Sequence, residues 1–373
     1  MKNIKKYMPS IAFLLAIFIF FGAFLFAPKK EFSENEKRIL SKAPEISFEN
    51  LANGKLTKDF ETYVSDHFPL RDFFVGVQSY FDLLCGRNGA AEVYYCKDGY
   101  LISAPADVSV ETTESNVKAF KTFAEKNKLD ATMIVVPSAG YVMEKVLPSN
   151  HKNFIDDEII NTAKENCGNI TFIDLREDFE NIKNDVQLYY KTDHHLTSAG
   201  AYEMYKAFAE SKGFSTSAEY DIETVEGFYG TAYSKGGFWL SNPDSIELWH
   251  NKKLDVKVEI IETGKETVTN DSVFFKNQLE NADKYPVFLD GNHSLVKITN
   301  PDAKGGKLLV LKDSFAHCFT GFLAEQYSEI YMVDMRYYRT SLTELVTENS
   351  ISEVLYLYGT DNLGTDTNSV WLQ

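Results

Sequence analysis

The sequence predicts an α/β protein with a mostly parallel sheet, set behind one N-terminal transmembrane helix and carrying a β-rich insertion. Three observations predict it: an uncharged apolar run from Ile11 to Ala27, an alternation of short apolar strands with amphipathic helices from about Glu114, and a change of composition between Tyr220 and Asn300.

The apolar run follows Lys2, Lys5 and Lys6 and ends at Pro28 with Lys29 and Lys30. Positive charge ahead of a membrane segment is retained in the cytoplasm, so everything after Lys30 is expected outside it. A cleaved signal peptide is the rival reading, because the run falls slightly short of the ~20 residues that span a bilayer. Leu25, however, occupies a place where signal peptidase favours a small residue. The expected organisation is a cytoplasmic basic segment (1–10), a transmembrane signal-anchor (11–27), a juxtamembrane stalk (28–53) and an extracytoplasmic domain (54–373) with its β-rich insertion at about 220–300. The protein is thus expected in the cell membrane, single-pass.

The chain carries a net charge of -16, and its first thirty residues hold five lysines and no acid, which leaves -21 on the rest. Such a surface repels polyphosphate, so no nucleic-acid partner is expected, and a neutral or cationic glycan suits it better than an anionic one. The four cysteines, Cys85, Cys96, Cys167 and Cys318, all follow the apolar run and show no metal spacing. Cys85 and Cys96 are close enough to close a small loop. Free buried thiols are the other reading, since a body this long has core enough without staples.

Within the body, a helical stretch to Lys126 is followed by an apolar strand Ala131 to Val136, a helix near Asp156 to Glu165, a strand Ile170 to Leu175 and a helix Ser198 to Ser211. After the β-rich insertion, Leu308 to Leu311, Ile330 to Val333 and Val354 to Tyr358 read as strands, separated by helices Phe315 to Glu325 and Ser341 to Val346. That succession is the pattern of strand-helix units around a parallel sheet.

Two places carry candidate chemistry. In Lys312-Asp313-Ser314-Phe315-Ala316 a serine stands at the carboxyl end of a buried strand where a helix begins, and ligands collect at such ends in open α/β sheets. Backbone N–H groups at the helix start, including that of Phe315, would face a developing oxyanion. Taken alone, a serine in this position is more often a helix N-cap than a nucleophile. The second place is Asp193-His194-His195 before the helix at Ser198. If that stretch is extended, Asp193 and His195 share a side and His194 faces away. A serine nucleophile needs a base and a carboxylate that holds the imidazole in its working tautomer, and this segment supplies both. A zinc site adding His317 or His293, and a purely structural loop, are the alternatives. Pairing of the loop with Ser314 favours catalysis, and no metal or cofactor is expected.

Further candidates are His317, at the cleft or at the surface; Asn292, in a Gly-Asn-His loop after an apolar strand, as an oxyanion donor; and Arg336 with Asp334, chiefly as a structural ion pair. Trp239, Tyr229 and Tyr233 are aromatics for either sugar stacking or core packing.

Together with Ser33-Glu34-Asn35-Glu36-Lys37-Arg38, the Tyr63 to Asp72 segment, Gly227-Phe228-Tyr229-Gly230-Thr231, Phe288 to His293 and Val333 to Tyr338, these motifs resemble the DHHW family of anchored surface proteins. That family is similar to SGNH-hydrolase-like alginate O-acetylation proteins. The resemblance implies a three-layer α/β/α fold with permuted motif order, Ser314 as nucleophile, His195 as base and Asp193 as its orienting partner. It implies transfer of acetyl to a polysaccharide acceptor, with a multi-pass membrane acyltransferase supplying the acetyl. Water as acceptor would make the same site a carbohydrate esterase, and a non-catalytic glycan-binding or envelope-assembly protein would keep the fold alone. Leu196 stands where the family has Trp.

Overall fold

The computed structural model describes residues 2–33 and 38–372; residues 34–37 of the juxtamembrane motif lie outside the described residues. The chain divides into two compact units, Met1–Ala91 with Ser234–Trp239, and Glu92–Tyr233 with Leu240–Gln373. The segment from residue 54 to 91, expected in one domain running to 373, therefore groups with the N-terminal helix. Its helices pack on α1 and on the 234–239 segment.

In the N-terminal unit, α1 (Lys2–Phe26) includes a stretch, Lys6–Phe26, long and apolar enough to cross a membrane. It stops just short of Ala27-Pro28, where the proline ring disfavours helical geometry in the residue before it. Helices α2 (Lys55–Asp66) and α3 (Arg71–Leu84) follow, entered through left-handed Gly54 and Leu70. Arg38 forks onto Asp66 at 2.5 and 3.2 Å, and the Ser41 N–H adds a third bond at 2.8 Å. Led by the guanidinium, these bonds hold the Asp66 carboxyl well below its usual range.

The larger unit is built on an eight-stranded sheet. Its strands are β1 (Asp130–Val136), β2 (Thr171–Asp174), β5 (Lys257–Ile261), β6 (Val268–Asn270), β7 (Leu295–Thr299), β8 (Gly305–Lys312), β9 (Tyr327–Val333) and β10 (Glu353–Gly359), in the order β6-β5-β7-β9-β8-β10-β1-β2. A separate antiparallel ribbon joins β3 (Tyr220–Phe228) to β4 (Asp244–Asn251). Strands β9, β8, β10, β1 and β2 run parallel, and β7, β5 and β6 add on antiparallel. The fold is thus α/β with a mixed, largely parallel sheet. The region expected as an insertion is only partly one: β5, β6 and β7 extend the central sheet, because β9 leaves an edge whose backbone groups must be paired.

Near-continuous apolar strands mark a sheet covered on both faces, and alternation sorts their side chains. Leu308, Val310, Leu355 and Leu357 enter one core with α6 (Ser198–Lys212) and α7 (Ala316–Leu323). Leu309, Leu311, Val354 and Tyr356 enter the other with α4 (Val110–Asn127), α5 (Asp156–Asn166) and α8 (Leu342–Asn349). Each buried leucine or valine contributes roughly 1.5–3 kcal/mol. From β8 the chain crosses through α7 to β9 on one side, then returns from β9 through α8 to β10 on the other side of β8. In open α/β sheets ligands collect at the carboxyl ends of strands where crossovers reverse direction, and Ser314 follows the carboxyl end of β8.

Among the described residues all four cysteines are free. Cys85 is exposed and Cys96, Cys167 and Cys318 are buried, so the small Cys85–Cys96 loop is not formed.

Candidate active site

Asp313 shapes the turn that carries Ser314. Its buried carboxylate accepts the Phe315 N–H at 3.0 Å, the Gly359 N–H at 2.7 Å and the Asn362 side-chain amide at 2.8 Å, tying β8 to the end of β10. Burial raises the Asp313 pKa, and these donors oppose the rise. The turn consumes the helix-start donors expected to face an oxyanion. The Phe315 N–H goes to Asp313, the Ala316 N–H to the Asp313 carbonyl and the His317 N–H to the Ser314 carbonyl. Ser314's own N–H is the donor left without a partner among the described residues, so it replaces that of Phe315 as the oxyanion candidate. The Phe315 ring instead lines the site, with its centroid 5.6 Å from that of His195 and 6.1 Å from that of His194.

Asp193-His194-His195 is not extended. It bends, so that Asp193 Oδ1 accepts the His195 backbone N–H at 3.0 Å and also meets His195 Nδ1 at 2.5 Å. The turn brings together two side chains that a strand would hold apart. It also sets the His194 and His195 rings side by side, 3.9 Å between centroids, rather than on opposite faces. His194 is partly exposed and bonds Thr231 Oγ1 at 2.9 Å.

A second layer of bonds holds the bend. Asp193 Oδ2 accepts the Thr231 N–H at 2.6 Å and its hydroxyl at 2.9 Å. Asp244, on β4, accepts the N–H groups of Lys191 and Thr192 at 2.9 and 2.7 Å and the Thr192 hydroxyl at 2.6 Å. Gly230 lies so close that a Cβ there would sit 2.2 Å from Asp193 Cβ and 2.5 Å from the Thr192 carbonyl oxygen. Desolvation alone would raise the Asp193 pKa; the two imidazoles and the Thr231 N–H outweigh it and hold the carboxyl well below its usual range.

The loop and the strand-end turn meet at His195 Nε2 and Ser314 Oγ, 2.7 Å apart. Asp193 as a carboxylate only accepts, so the proton of His195 sits on Nδ1, and the Nε2 lone pair receives the serine hydroxyl. Such a line can take a proton from Ser314 as its oxygen attacks a carbonyl and return it to a leaving group.

His317 faces neither cleft nor solvent. It is buried, its Nε2 is 2.7 Å from Lys312 Nζ, and desolvation followed by the lysine's charge drives its pKa well down. Lys312 also lies 3.6 Å from Asp334, and burial brings its pKa down to about 8. Arg336 forks onto Asp334 at 2.9 and 2.6 Å, the structural ion pair expected. Asn292 is exposed and accepts from Arg336 at 3.4 Å; its loop precedes β7 and follows a short 3-10 turn, not a strand. No bond joins Asn292 or Arg336 to Ser314. Of the zinc reading, the ligand atoms of Asp193, His194 and His195 lie within 4.8 Å of one another, but His293 is held by Glu262 at 3.1 Å and His317 by Lys312. Trp239 belongs to the N-terminal unit, stacked on Phe73, while Tyr229 and Tyr233 pack on each other at 4.2 Å.

Tyr285 went unmarked in the sequence. Its ring lies on that of His195, 3.9 Å between centroids and 11° from parallel, and its hydroxyl donates to the Ser314 carbonyl at 3.3 Å. Nothing near Tyr285-Pro286 announces this, since the contact crosses ninety positions of chain. Thr231 and Gly230 were visible as part of a motif, but not as the clamp on Asp193.

The sequence profile described as "DHHW protein" matches residues 143–333, just over half of the chain. The chain belongs to the DHHW family. This DHHW protein is similar in fold to a crystal structure of a DHHW family protein from Eubacterium siraeum, with a TM-score of 0.62 and 23% identity over 76% of this chain and 95% of that one. It is likewise similar to Bacillus cereus PatB1, solved with a sulfonyl adduct, with a TM-score of 0.61 and 19% identity over 73% of this chain and 96% of that one. Among curated proteins, the probable alginate O-acetylase AlgJ of Pseudomonas putida is 24% identical over 170 residues, 43% of this chain and 44% of the relative. The DHHW protein thus matches less than half the length of that relative.

Proposed function

We propose that this DHHW protein is a membrane-anchored, extracytoplasmic serine O-acetyltransferase that modifies a polysaccharide, with an SGNH-like domain whose Asp193 and His195 precede Ser314 in the chain. The observation that carries the reading is the line Asp193–His195–Ser314, closed by bonds of 2.5 and 2.7 Å from two loops 119 residues apart. The name of the curated relative, an O-acetylase of alginate, supports the same reaction class.

Ser314 Oγ attacks the acetyl carbonyl carbon while its proton passes to His195 Nε2. The oxyanion meets the Ser314 N–H, and the leaving group departs with the proton from His195. A sugar hydroxyl then yields its proton to His195 and attacks the acetyl carbon, and His195 returns that proton to Ser314 Oγ as the bond from Ser314 to the acetyl breaks. Asp193, held by Thr231, stabilises the imidazolium throughout. The helix Lys6–Phe26 anchors the chain, with its basic end in the cytoplasm, and a multi-pass acyltransferase delivers acetyl across the membrane.

The test is intact mass after exposure to p-nitrophenyl acetate, comparing wild type with Ser314→Ala and His195→Ala. An acetyl adduct of the wild type that both variants lack, and that passes to an added oligosaccharide faster than to water, is the expected result. Equal background acetylation in all three folded proteins would overturn the reading. Loss of the adduct to water alone would make the protein an esterase.

A further inference from the structure

Helix α3 is inside out for a protein in water. The fully buried positions of its inward face are small or polar, Gly76, Ser79 and Asp82, flanked by half-buried Val75, Leu83 and Tyr80, whose ring packs on Phe238 and Trp239. Ser79 donates to the Gly236 carbonyl at 2.7 Å, and Gly76 lies so close to Trp239 that a side chain there would overlap the indole. Its outward face carries Phe73, Phe74, Val77, Phe81 and Leu84, from 40% exposed at Phe74 to 86% at Leu84. Surface helices in water bury the apolar stripe and expose the polar one, so a reversed helix finds its apolar solvent elsewhere.

What covers this face is indicated by its neighbour. Helix α1 packs Phe20 on Phe68 and Phe74, with ring centroids 5.5 and 5.7 Å away, and Phe24 on Tyr63 at 6.0 Å. Phe20 lies six residues inside the end of α1, which at ~1.5 Å per residue is about 9 Å along the helix. An amphipathic helix in the plane of a membrane buries its apolar face about 5–10 Å into the headgroup-to-acyl boundary. The depth of the contact on α1 and the depth of such a helix therefore coincide. Trp239, stacked on Phe73 with centroids 6.2 Å apart, adds the residue type that collects at the membrane boundary.

We propose that the outward face of α3 lies in the headgroup-to-acyl boundary of the bilayer crossed by α1, with phospholipid as its occupant, so that two apolar elements hold the N-terminal unit on the membrane. The inference rests on α1 being retained as an anchor.

The full chain is reconstituted in phosphatidylcholine vesicles, with Trp249→Phe and Trp371→Phe leaving Trp239 as the sole tryptophan. Its emission is quenched either by lipids brominated on the acyl chain or by iodide in the water. The expected result is that brominated lipid removes about half of the Trp239 emission while iodide removes little. Should the double variant fold poorly, the difference between wild type and Trp239→Phe reads the same signal. A chain that floats with the vesicles but shows Trp239 open to iodide and untouched by bromine overturns this inference alone and leaves the face to a protein partner. A chain that does not float overturns the anchor reading and the inference together.

Discussion

The His195 imidazole lies flat on the Tyr285 ring, 3.9 Å between centroids at 11°, while the Tyr285 hydroxyl reaches the Ser314 carbonyl at 3.3 Å. One aromatic side chain thus touches both partners of the serine–histidine contact. A stacked aromatic pair is worth about 0.5–1.5 kcal/mol beyond burial, so loss of the stack lets the imidazole swing. Tyr285→Phe keeps the stack and is expected to hold the acetyl-adduct rate within about threefold, whereas Tyr285→Leu is expected to slow it about tenfold. Stopped-flow release of nitrophenolate separates them; equal rates in both variants would remove Tyr285 from the positioning of His195.

Asp193 fixes the proton of His195 on Nδ1. Asparagine at 193 offers an amide that favours the opposite tautomer, which puts a hydrogen on Nε2 where the serine hydroxyl must donate. Asp193→Asn is expected to reduce the acetylation rate by about 10^4 with the fold intact by circular dichroism. A loss of less than tenfold would mean that the carboxylate does not orient the base.

Gly230 admits no side chain, since its Cβ would fall 2.2 Å from that of Asp193. Gly230→Ala must push the Asp193 turn aside, and displacements of about 1 Å can cost 10^2-fold in rate. The expected outcome is a rate loss of that order with a fall in Tm of only a few degrees. Rate and stability falling together as global unfolding would instead make Gly230 a folding residue alone.

Lys312 is buried with its pKa down to about 8, chiefly by desolvation, with Asp334 opposing the shift. Between about pH 8 and 10.4 the unfolded chain binds a proton that the native lysine has lost, so this residue's contribution to stability rises with pH across that window. Below it, the penalty for burying the charge is fully present. The stability of wild type relative to Lys312→Met is expected to climb by about 3 kcal/mol from pH 7.5 to 10.5, read from denaturant midpoints at each pH. A flat or falling difference would show that the lysine keeps its proton.

The strands of the parallel core were legible in the sequence because burial on both faces writes a short continuous apolar run, as in Leu308 to Leu311 and Val354 to Tyr358. The edge strands were not assigned to that sheet. Val256 to Ile261 reads as β in composition, but which sheet accepts it depends on β7, which itself pairs the free edge of β9, and a sequence shows no edges. The separation of residues 54–91 from the larger unit was hidden for a related reason: α3 has clear periodicity, yet periodicity does not tell which face meets water.

By itself, the sequence determined the residue types and their order: an apolar N-terminal helix, a serine closing a buried strand, and an acid and histidine ahead of a helix. These are local properties, governed by hydrophobic runs and turn chemistry. The tertiary structure decided which of the candidates converge. It bent Asp193 onto His195 through their own backbone, brought Ser314 within 2.7 Å across 119 residues, and withdrew His317 into a buried contact with Lys312. It also turned the helix-start N–H groups onto Asp313 and the Ser314 carbonyl and laid Tyr285 on the imidazole. Such contacts depend on crossover direction and loop closure, which bring together positions whose separation in the chain carries no signal of their meeting.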